Sequence, residues 1–393
     1  MMDMPGKALR GLRVLEFSAG SRAGQYCGQC LGDLGADVVR VDGAWPPDMT
    51  FCAASHTTYH AAFNRNKRAL DVDPASGRAL LRQLCGRADV LLDALPAGRL
   101  DALGIGWSDL SRIAPKLVYA RVTPASVPGG ACAPDAADLM MEAAGGYMGI
   151  TGGRDGAPSR LGTSALEVMT GVNCQSAILA ALFQRAATGQ GQYLSTSVLE
   201  SEIAFLANAA VEHLLGGPQP KRWGSEHAQQ VPYKAFRTVD GWIVVAAGFQ
   251  NLYEAFARVL GRPDLARDAR FASMAGRVEH RDALYAELDA ETARYPAADL
   301  LRQLENAGVP CAPVNDLAQV FAHRQVLHHG LRVDLADAPP DAPHPHAVLG
   351  PAARYSAFPV TDGWTFPPGP GQHTEHVLRD WLAPSSLSES STP

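Results

Sequence analysis

The stretch that most constrains the fold lies near the start of the chain. Residues Leu12 to Phe17 read L-R-V-L-E-F, an apolar run with strand character, and S-A-G-S-R-A-G-Q then interrupts it with small residues. An apolar segment follows to Gly35, and Ala36 to Val41 (A-D-V-V-R-V) is β-branched again. Strand, Gly-rich turn, helix and strand in that order make a βαβ unit, because parallel neighbours need a helical crossover between them. Ligands in such sheets bind at the carboxyl ends of the strands, beside the first turn. Gly20, Gly24 and Gly28 are spaced by four and do not form G-x-G-x-x-G. Asp42 imitates a ribose-binding acid, but without the glycine fingerprint a dinucleotide site is not expected.

The alternation continues. N-R-N-K-R (64–68) precedes the short strand A-L-D-V, a helix is predicted from Pro74 to about Gly86, and D-V-L-L-D-A-L is the next strand. L-G-I-G-W-S-D-L-S-R-I opens a helix with Ser108 as its cap, and L-V-Y-A-R-V is a further strand. This regularity through residue 122 predicts a doubly wound α/β domain. Arg65, Lys67 and Arg68 at a strand entrance suit either phosphate contacts or a solvated basic loop. After a loose segment to Asp138, a helix is expected from Leu139 to about Ala144, followed by glycine pairs at 145–146 and 152–153.

The segment 160–171, R-L-G-T-S-A-L-E-V-M-T-G, places one carboxylate, Glu167, between a Gly- and Ser-rich approach and the run N-C-Q-S-A-I-L-A-A-L-F. The run reads as a buried helix. Its N-terminus favours negative charge, so Glu167 is expected to stay ionised even when partly buried. A capping role in the first helical turn explains the residue equally well. G-Q-G-Q-Y-L-S-T-S-V-L gives one more strand, and a helix from Glu200 to Leu215 closes the first domain.

A Gly- and Pro-rich linker leads to Y-K-A-F-R-T-V-D-G-W-I-V-V-A-A, a hairpin with a D-G turn, and then to three amphipathic helices, the last with Gly308 as its C-cap. The expected boundaries are a large domain over 1–217, a linker over 218–232, a small α/β domain over 233–322, a returning segment over 323–383 and a disordered, Ser-rich tail over 384–393.

Across 393 residues, 47% are hydrophobic and 19% charged, which describes a globular chain with a sizeable core. A net charge of −6 offers no basic footprint for nucleic acid and no polybasic arm for a membrane. No apolar run approaches the roughly 20 residues that span a bilayer, and the start lacks a signal-peptide core, so a cytoplasmic protein is expected. The seven cysteines show no disulfide framework, and Cys27-x-x-Cys30 reads as buried helical thiols rather than a metal site. His373 and His376 read as surface residues. No metal is expected.

Several stretches together resemble the class III CoA-transferases, a family that includes formyl-CoA transferase-like enzymes, carnitine CoA-transferase and α-methylacyl-CoA racemase. They are G-L-R-V-L-E-F, L-G-A-D-V-V-R-V-D, N-R-N-K-R, L-G-I-G-W, R-I-A-P-K-L-V-Y-A, E-A-A-G-G-Y-M-G-I-T-G, T-G-Q-G-Q, F-R-T-V-D-G-W-I-V-V-A-A, A-G-V-P-C-A-P-V-N and G-Q-H-T-E-H-V-L. They run in the family's order over nearly the whole chain. The resemblance implies a Rossmann-like large domain, a smaller α/β domain and an interlocked homodimer. It also implies coenzyme A or acyl-CoA as substrate, with no permanently bound cofactor and a carboxylic acid as the second substrate. The cofactor-binding positions it implies are Arg22, Ala23, Arg40, Lys67, Arg68, Ala94 and Leu95. The implied pocket residues are Asp138, Gly145, Gly146 and Tyr147. Loops 122–136 and 223–232 are candidates for lining the substrate, and His227 and Gln230 in the second of them read either as polar anchors or as solvated linker residues.

The family's nucleophile is an Asp followed three residues on by T-G. Here that position is Glu167, with Thr170 and Gly171 in register. The resemblance implies that this carboxylate attacks an acyl-CoA thioester, with backbone N–H groups of 145–153 stabilising the oxyanion. The chain departs from the family around this site. Glu replaces Asp, Ala94 and Leu95 replace Asn-Phe, and Arg22 and Gln25 stand where an apolar residue or Gln and a Pro are typical. Ala137 stands where the racemases' His precedes Asp138. Three readings therefore remain open: covalent CoA transfer through Glu167, the same fold with Glu167 as a general acid or base, and a non-catalytic subunit paired with a paralogous partner.

Overall fold

The computed structural model describes residues 6–43, 57–73, 76–124, 137–337 and 347–383. The chain divides into two units. One comprises the described residues of Met1–Tyr147, Leu161–Gly217 and Leu327–Pro393, and the other Met148–Arg160 and Pro218–Val326. The stretch from Pro218, expected to be a linker, thus belongs to the second unit, and so does the excursion from Met148 to Arg160. The tail 384–393 and most of the loop 122–136 lie outside the described residues.

The first unit is built on a parallel six-stranded sheet of order β3-β2-β1-β4-β5-β6. Its strands are β1 Arg13–Phe17, β2 Asp37–Asp42, β3 Lys67–Asp71, β4 Val90–Asp93, β5 Val118–Thr123 and β6 Gln192–Ser197. This is the order expected of a doubly wound domain, with a topological switch point between β1 and β4. Side chains alternate along each central strand. Leu15, Phe17, Val39, Val41, Leu70 and Leu91 pack on one face with Val377 and Trp381 of the C-terminal helix, while Val14, Val38, Val90 and Leu92 face the other way.

That second face receives two helices, α1 (Arg22–Asp33) and the 24-residue helix Ala165–Thr188. Leaving aside the single turns Arg99–Ala102 and Tyr147–Ile150, the described helices between them in sequence are α2 (Thr57–Phe63), α3 (Arg78–Cys85), α4 (Trp107–Ile113) and α5 (Ala137–Ala144), so the long helix is α6. The shorter α3 in place of a helix from Pro74 fits Gly77 as its N-cap, and α5 begins two residues earlier than expected.

α1 and α6 run side by side in the same direction. A Cβ on Gly171 of α6 would lie 2.8 Å from the carbonyl oxygen of Ala23 in α1, so the approach depends on glycine. The sequence predicts α6 as a buried helix, but only one stripe is buried: Leu166, Glu167, Thr170, Gly171, Cys174, Ile178 and Ala181. Phe183 on the opposite face is 83% exposed. By length and composition α6 is apolar enough to cross a membrane, which counting unbroken apolar runs does not reveal. Here its buried stripe packs on α1 and the sheet.

The helix expected over 200–215 is two helices, α7 (Val198–Phe205) and α8 (Ala207–Leu214), broken at Ala207, whose φ is 45°. In the second unit, β7 (Tyr233–Arg237) and β8 (Trp242–Ala246) form the expected hairpin, and β9 (Cys311–Pro313) extends it to three antiparallel strands. Helices Gln250–Val259, Arg281–Thr292 and Ala297–Asn306 contribute Tyr253, Phe256, Leu284, Leu288, Leu300 and Leu304 to its separate core.

Candidate functional site

The first turn after β1 places Ser21 as N-cap of α1, its hydroxyl accepting the Gly24 N–H at 3.1 Å. Arg22 is therefore the first residue of α1, at the carboxyl edge of the sheet beside the switch point. Ser164 precedes α6 without any side-chain capping bond, and Glu167 stands in the first turn. The Ser164-x-x-Glu167 spacing fits a capping box, yet Glu167 is directed elsewhere: Arg22 Nη1 donates to its Oε2 at 2.9 Å. The capping explanation thus gives way to an ion pair between the starts of two parallel helices.

Glu167 is only 1% exposed. Burial pushes its carboxyl up to about 7, opposed by the hydrogen bond and charge of Arg22 and reinforced by the charge of Asp138. The helix N-terminus therefore does not hold Glu167 in the ordinary carboxylate range, as the sequence led one to expect. Desolvation outweighs the favourable dipole, whose effect is only about 0.3–2 kcal/mol. Asp138, also buried, accepts the Glu167 backbone N–H through Oδ1 at 3.2 Å, which ties α5 to the first turn of α6. On the other side, the Arg22 guanidinium lies over the ring of Tyr59, 4.5 Å from its centroid.

Gly145, Gly146 and Tyr147 follow α5. Gly146 has φ 96°, and a Cβ on Gly145 would stand 2.1 Å from Glu202 Oε2. Glu202 is buried under this turn and accepts the Tyr147 N–H at 3.2 Å, while the Tyr147 ring stacks on Phe205. Burial pushes Glu202 up to about 7, with the charges of Glu142 and Asp138 acting in the same direction. Sequence reading missed Tyr59 and Glu202. The signal for Glu202 is a carboxylate on the buried helical stripe Val198, Ser201, Glu202.

The cations of N-R-N-K-R require a correction. Lys67, expected beside a phosphate, has a side chain with 0% exposure and donates to Glu16 Oε1 at 2.8 Å, to the Gln25 carbonyl at 2.7 Å and to Asn64 at 3.1 Å. It is inside the fold because Glu16, on the α1 side of β1, needs a counter-charge where Gly28 leaves room. Arg65 pairs with Asp33 through two nitrogens, and Arg68 pairs with Asp37 and Asp380. Arg40 pairs with Asp42. All four cations are thereby compensated by carboxylates of the fold. Ala23, Ala94 and Leu95 are buried in the core beside the first turn, and Ala94 Cβ would lie 2.5 Å from a Cβ on Gly24.

His227 belongs to the second unit. There it is exposed, stacks on Tyr233 and accepts the Gln229 and Gln230 N–H groups. Cys27 is buried against Cys174, which pushes its thiol well up, and burial pushes Cys30 up to about 12, so neither thiol is poised to ionise. Among the described residues no three His, Cys, Asp or Glu side chains are grouped to hold a metal.

Comparison with known proteins decides the family, since residues 9–374 match CoA-transferase family III. The chain belongs to CoA-transferase family III. It is an acyl-CoA transferase. It is 34% identical to succinyl-CoA:glutarate CoA-transferase of Mus musculus over 390 residues, covering 96% of this chain and 87% of the relative. It is 33% identical to succinate–glutarate CoA-transferase of Agrobacterium fabrum over 350 residues, covering 85% of this chain and 87% of that one. A solved CAIB/BAIF family protein from Brucella suis superposes with a TM-score of 0.81 at 31% identity, covering 96% of this chain and 100% of the other. Within this CoA-transferase, Arg22 and Glu167 pair at the starts of α1 and α6.

Proposed function

We propose that this chain moves CoA between short dicarboxylic acids, with succinyl-CoA as donor and a glutarate-like acid as acceptor, through a covalent intermediate on Glu167. The observation that carries this reading is a buried carboxylate at a helix start, bonded by Arg22, at the position to which the sequence resemblance assigns the nucleophile. The names of the mouse and Agrobacterium relatives support the substrate class.

In the first step Glu167 attacks the thioester carbonyl, the C–S bond breaks, and CoA leaves as thiolate with a mixed anhydride formed. The thiolate then attacks the Glu167 carbonyl, releasing the donor acid as its carboxylate and leaving a glutamyl-CoA thioester. The acceptor carboxylate attacks that thioester to give a second anhydride and free thiolate. Attack of the thiolate on the acceptor's acyl carbon yields the new acyl-CoA and restores Glu167. No proton is consumed, which suits a site from which water is excluded.

A homodimer fits the apolar surface of the first unit, where Phe183, Val211, Leu214 and Leu215 are exposed. Light scattering of the purified protein tests it, and a monomer at micromolar concentration would refute it.

For the intermediate, the protein is incubated with succinyl-CoA, treated with borohydride or hydroxylamine, and digested for mass spectrometry. Modification at Glu167 is expected. An unmodified Glu167 in protein that binds CoA normally would reject the covalent route in favour of proton transfer, to which a carboxyl near 7 is also suited.

A further inference from the structure

We propose that Gln25 is a positioning residue for the Arg22–Glu167 pair, the link through which a closed ring of hydrogen bonds holds the first βα turn. This rests on the reading of Glu167 as the attacking carboxylate. Starting from Lys67, Nζ donates to Asn64 Oδ1 at 3.1 Å, Asn64 Nδ2 donates to Gln25 Oε1 at 3.2 Å, and Gln25 Nε2 donates to the Ser18 carbonyl at 3.3 Å. The Ser18 hydroxyl donates to Glu16 Oε1, which also accepts from Lys67 Nζ at 2.8 Å and so closes the ring. Lys67 Nζ reaches the Gln25 carbonyl as well, at 2.7 Å. An ammonium can only donate and a carbonyl can only accept, so the direction of the two amides between them is fixed. Glu16, Ser18, Asn64 and Lys67 are buried, where a polar group left without its partner is far more unfavourable than in water.

The ring grips both ends of one short segment. Ser18 follows β1 and Gln25 is the fourth residue of α1, with Arg22 between them. Local bonds set the shape of this turn: Ser21 caps the Gly24 N–H, and the Gln25 N–H donates to the Ser21 carbonyl at 3.0 Å. Gln25 ties the turn to its neighbours, since Asn64 directly follows α2 and Lys67 opens β3. Helix α2 also carries Tyr59, so the same link bears on the 4.5 Å spacing between its ring and the Arg22 guanidinium. The hydrogen bond and charge of Arg22 pull the Glu167 carboxyl down against its burial. That pull weakens as the two groups separate, so a loosened turn leaves Glu167 harder to ionise.

The test is the pH dependence of kcat/KM for transfer from succinyl-CoA to glutarate in wild type, Gln25→Met, Arg22→Gln and the double variant Gln25→Met/Arg22→Gln. Methionine keeps the length of the side chain and removes both of its hydrogen bonds. Gln25→Met is expected to move the acidic limb up by about 0.5–1 pH unit, read as roughly a three- to tenfold loss well below the limb and a rate near wild type well above it. In the Arg22→Gln background the same substitution is expected to move the limb no further, because Gln25 acts through Arg22. A limb that Gln25→Met leaves in place overturns the inference, whether the rate is unchanged or falls alike at every pH, as a structural defect would make it. An equal displacement with and without Arg22 overturns it too. If Gln25→Met does not fold, Asn64→Leu, which opens the ring from its other side, decides by the same comparisons. A wild-type profile with no limb near pH 7 refutes the reading of Glu167 itself and the inference with it, and is thereby told apart from failure of the positioning role alone.

Discussion

Asp138 accepts the backbone N–H of Glu167 at 3.2 Å, which ties these two buried acids together through the main chain. Their charges still act on each other. Asp138 raises the Glu167 carboxyl and Arg22 lowers it, while burial brings it to about 7. A nucleophile must be ionised, so kcat/KM is expected to rise with pH up to about 7 and then level, falling about tenfold per unit below. Asp138→Asn is expected to move this limb to lower pH and Arg22→Gln to higher pH. A pH–rate profile of each variant checks both signs, and a profile that falls with rising pH would indicate a general acid instead.

Shortening Glu167 to Asp withdraws the carboxylate from Arg22 by one methylene. With the surrounding turn fixed by Asp138, a displacement of about 1 Å is expected to lower kcat about a hundredfold. Glu167→Gln is expected to abolish transfer. Steady-state transfer between succinyl-CoA and glutarate measures both, and an Asp variant as fast as wild type would show that the turn adjusts freely.

Gly171 sets the distance between α1 and α6, since a Cβ there would meet the Ala23 carbonyl at 2.8 Å. Gly171→Ala is expected to cost about 1–3 kcal/mol in stability and also to reduce activity, because separating the helices separates Arg22 from Glu167. Denaturant unfolding together with transfer assays distinguishes this from a substitution that only destabilises.

Lys67 and Glu16 form a pair with both side chains at 0% exposure. Removing one partner leaves an uncompensated charge, so Lys67→Met is expected to destabilise the fold by about 3–5 kcal/mol. Adding Glu16→Leu to Lys67→Met is expected to recover much of that loss. A double-mutant cycle of unfolding free energies provides the measurement.

Glu202 is raised to about 7 chiefly by burial. A carboxyl with a raised folded-state value contributes stability at low pH that is lost as pH rises from the ordinary carboxylate range through about 7. Glu202→Gln keeps an acceptor for the Tyr147 N–H, so its melting temperature is expected to fall less than wild type's between pH 5 and pH 8. Parallel melting curves that fall equally would remove Glu202 from this account.

Strand and helix alternation through β5, the hairpin of β7 and β8 and the position of Glu167 at a helix start are local patterns, and the chain alone determines them. Period-two burial and the D-G turn act within a few residues. What the sequence could not determine was which charge meets which. N-R-N-K-R presents three cations in four positions, yet Lys67 is paired with a Glu 51 positions away and Arg22 with a Glu 145 positions away. These partners become neighbours only when the sheet forms and α1 and α6 pack side by side on its face. Tertiary structure therefore decided that Lys67 is part of the core and Arg22 part of the site, because a buried charge is stable only beside its counter-charge and the fold alone brings the two together.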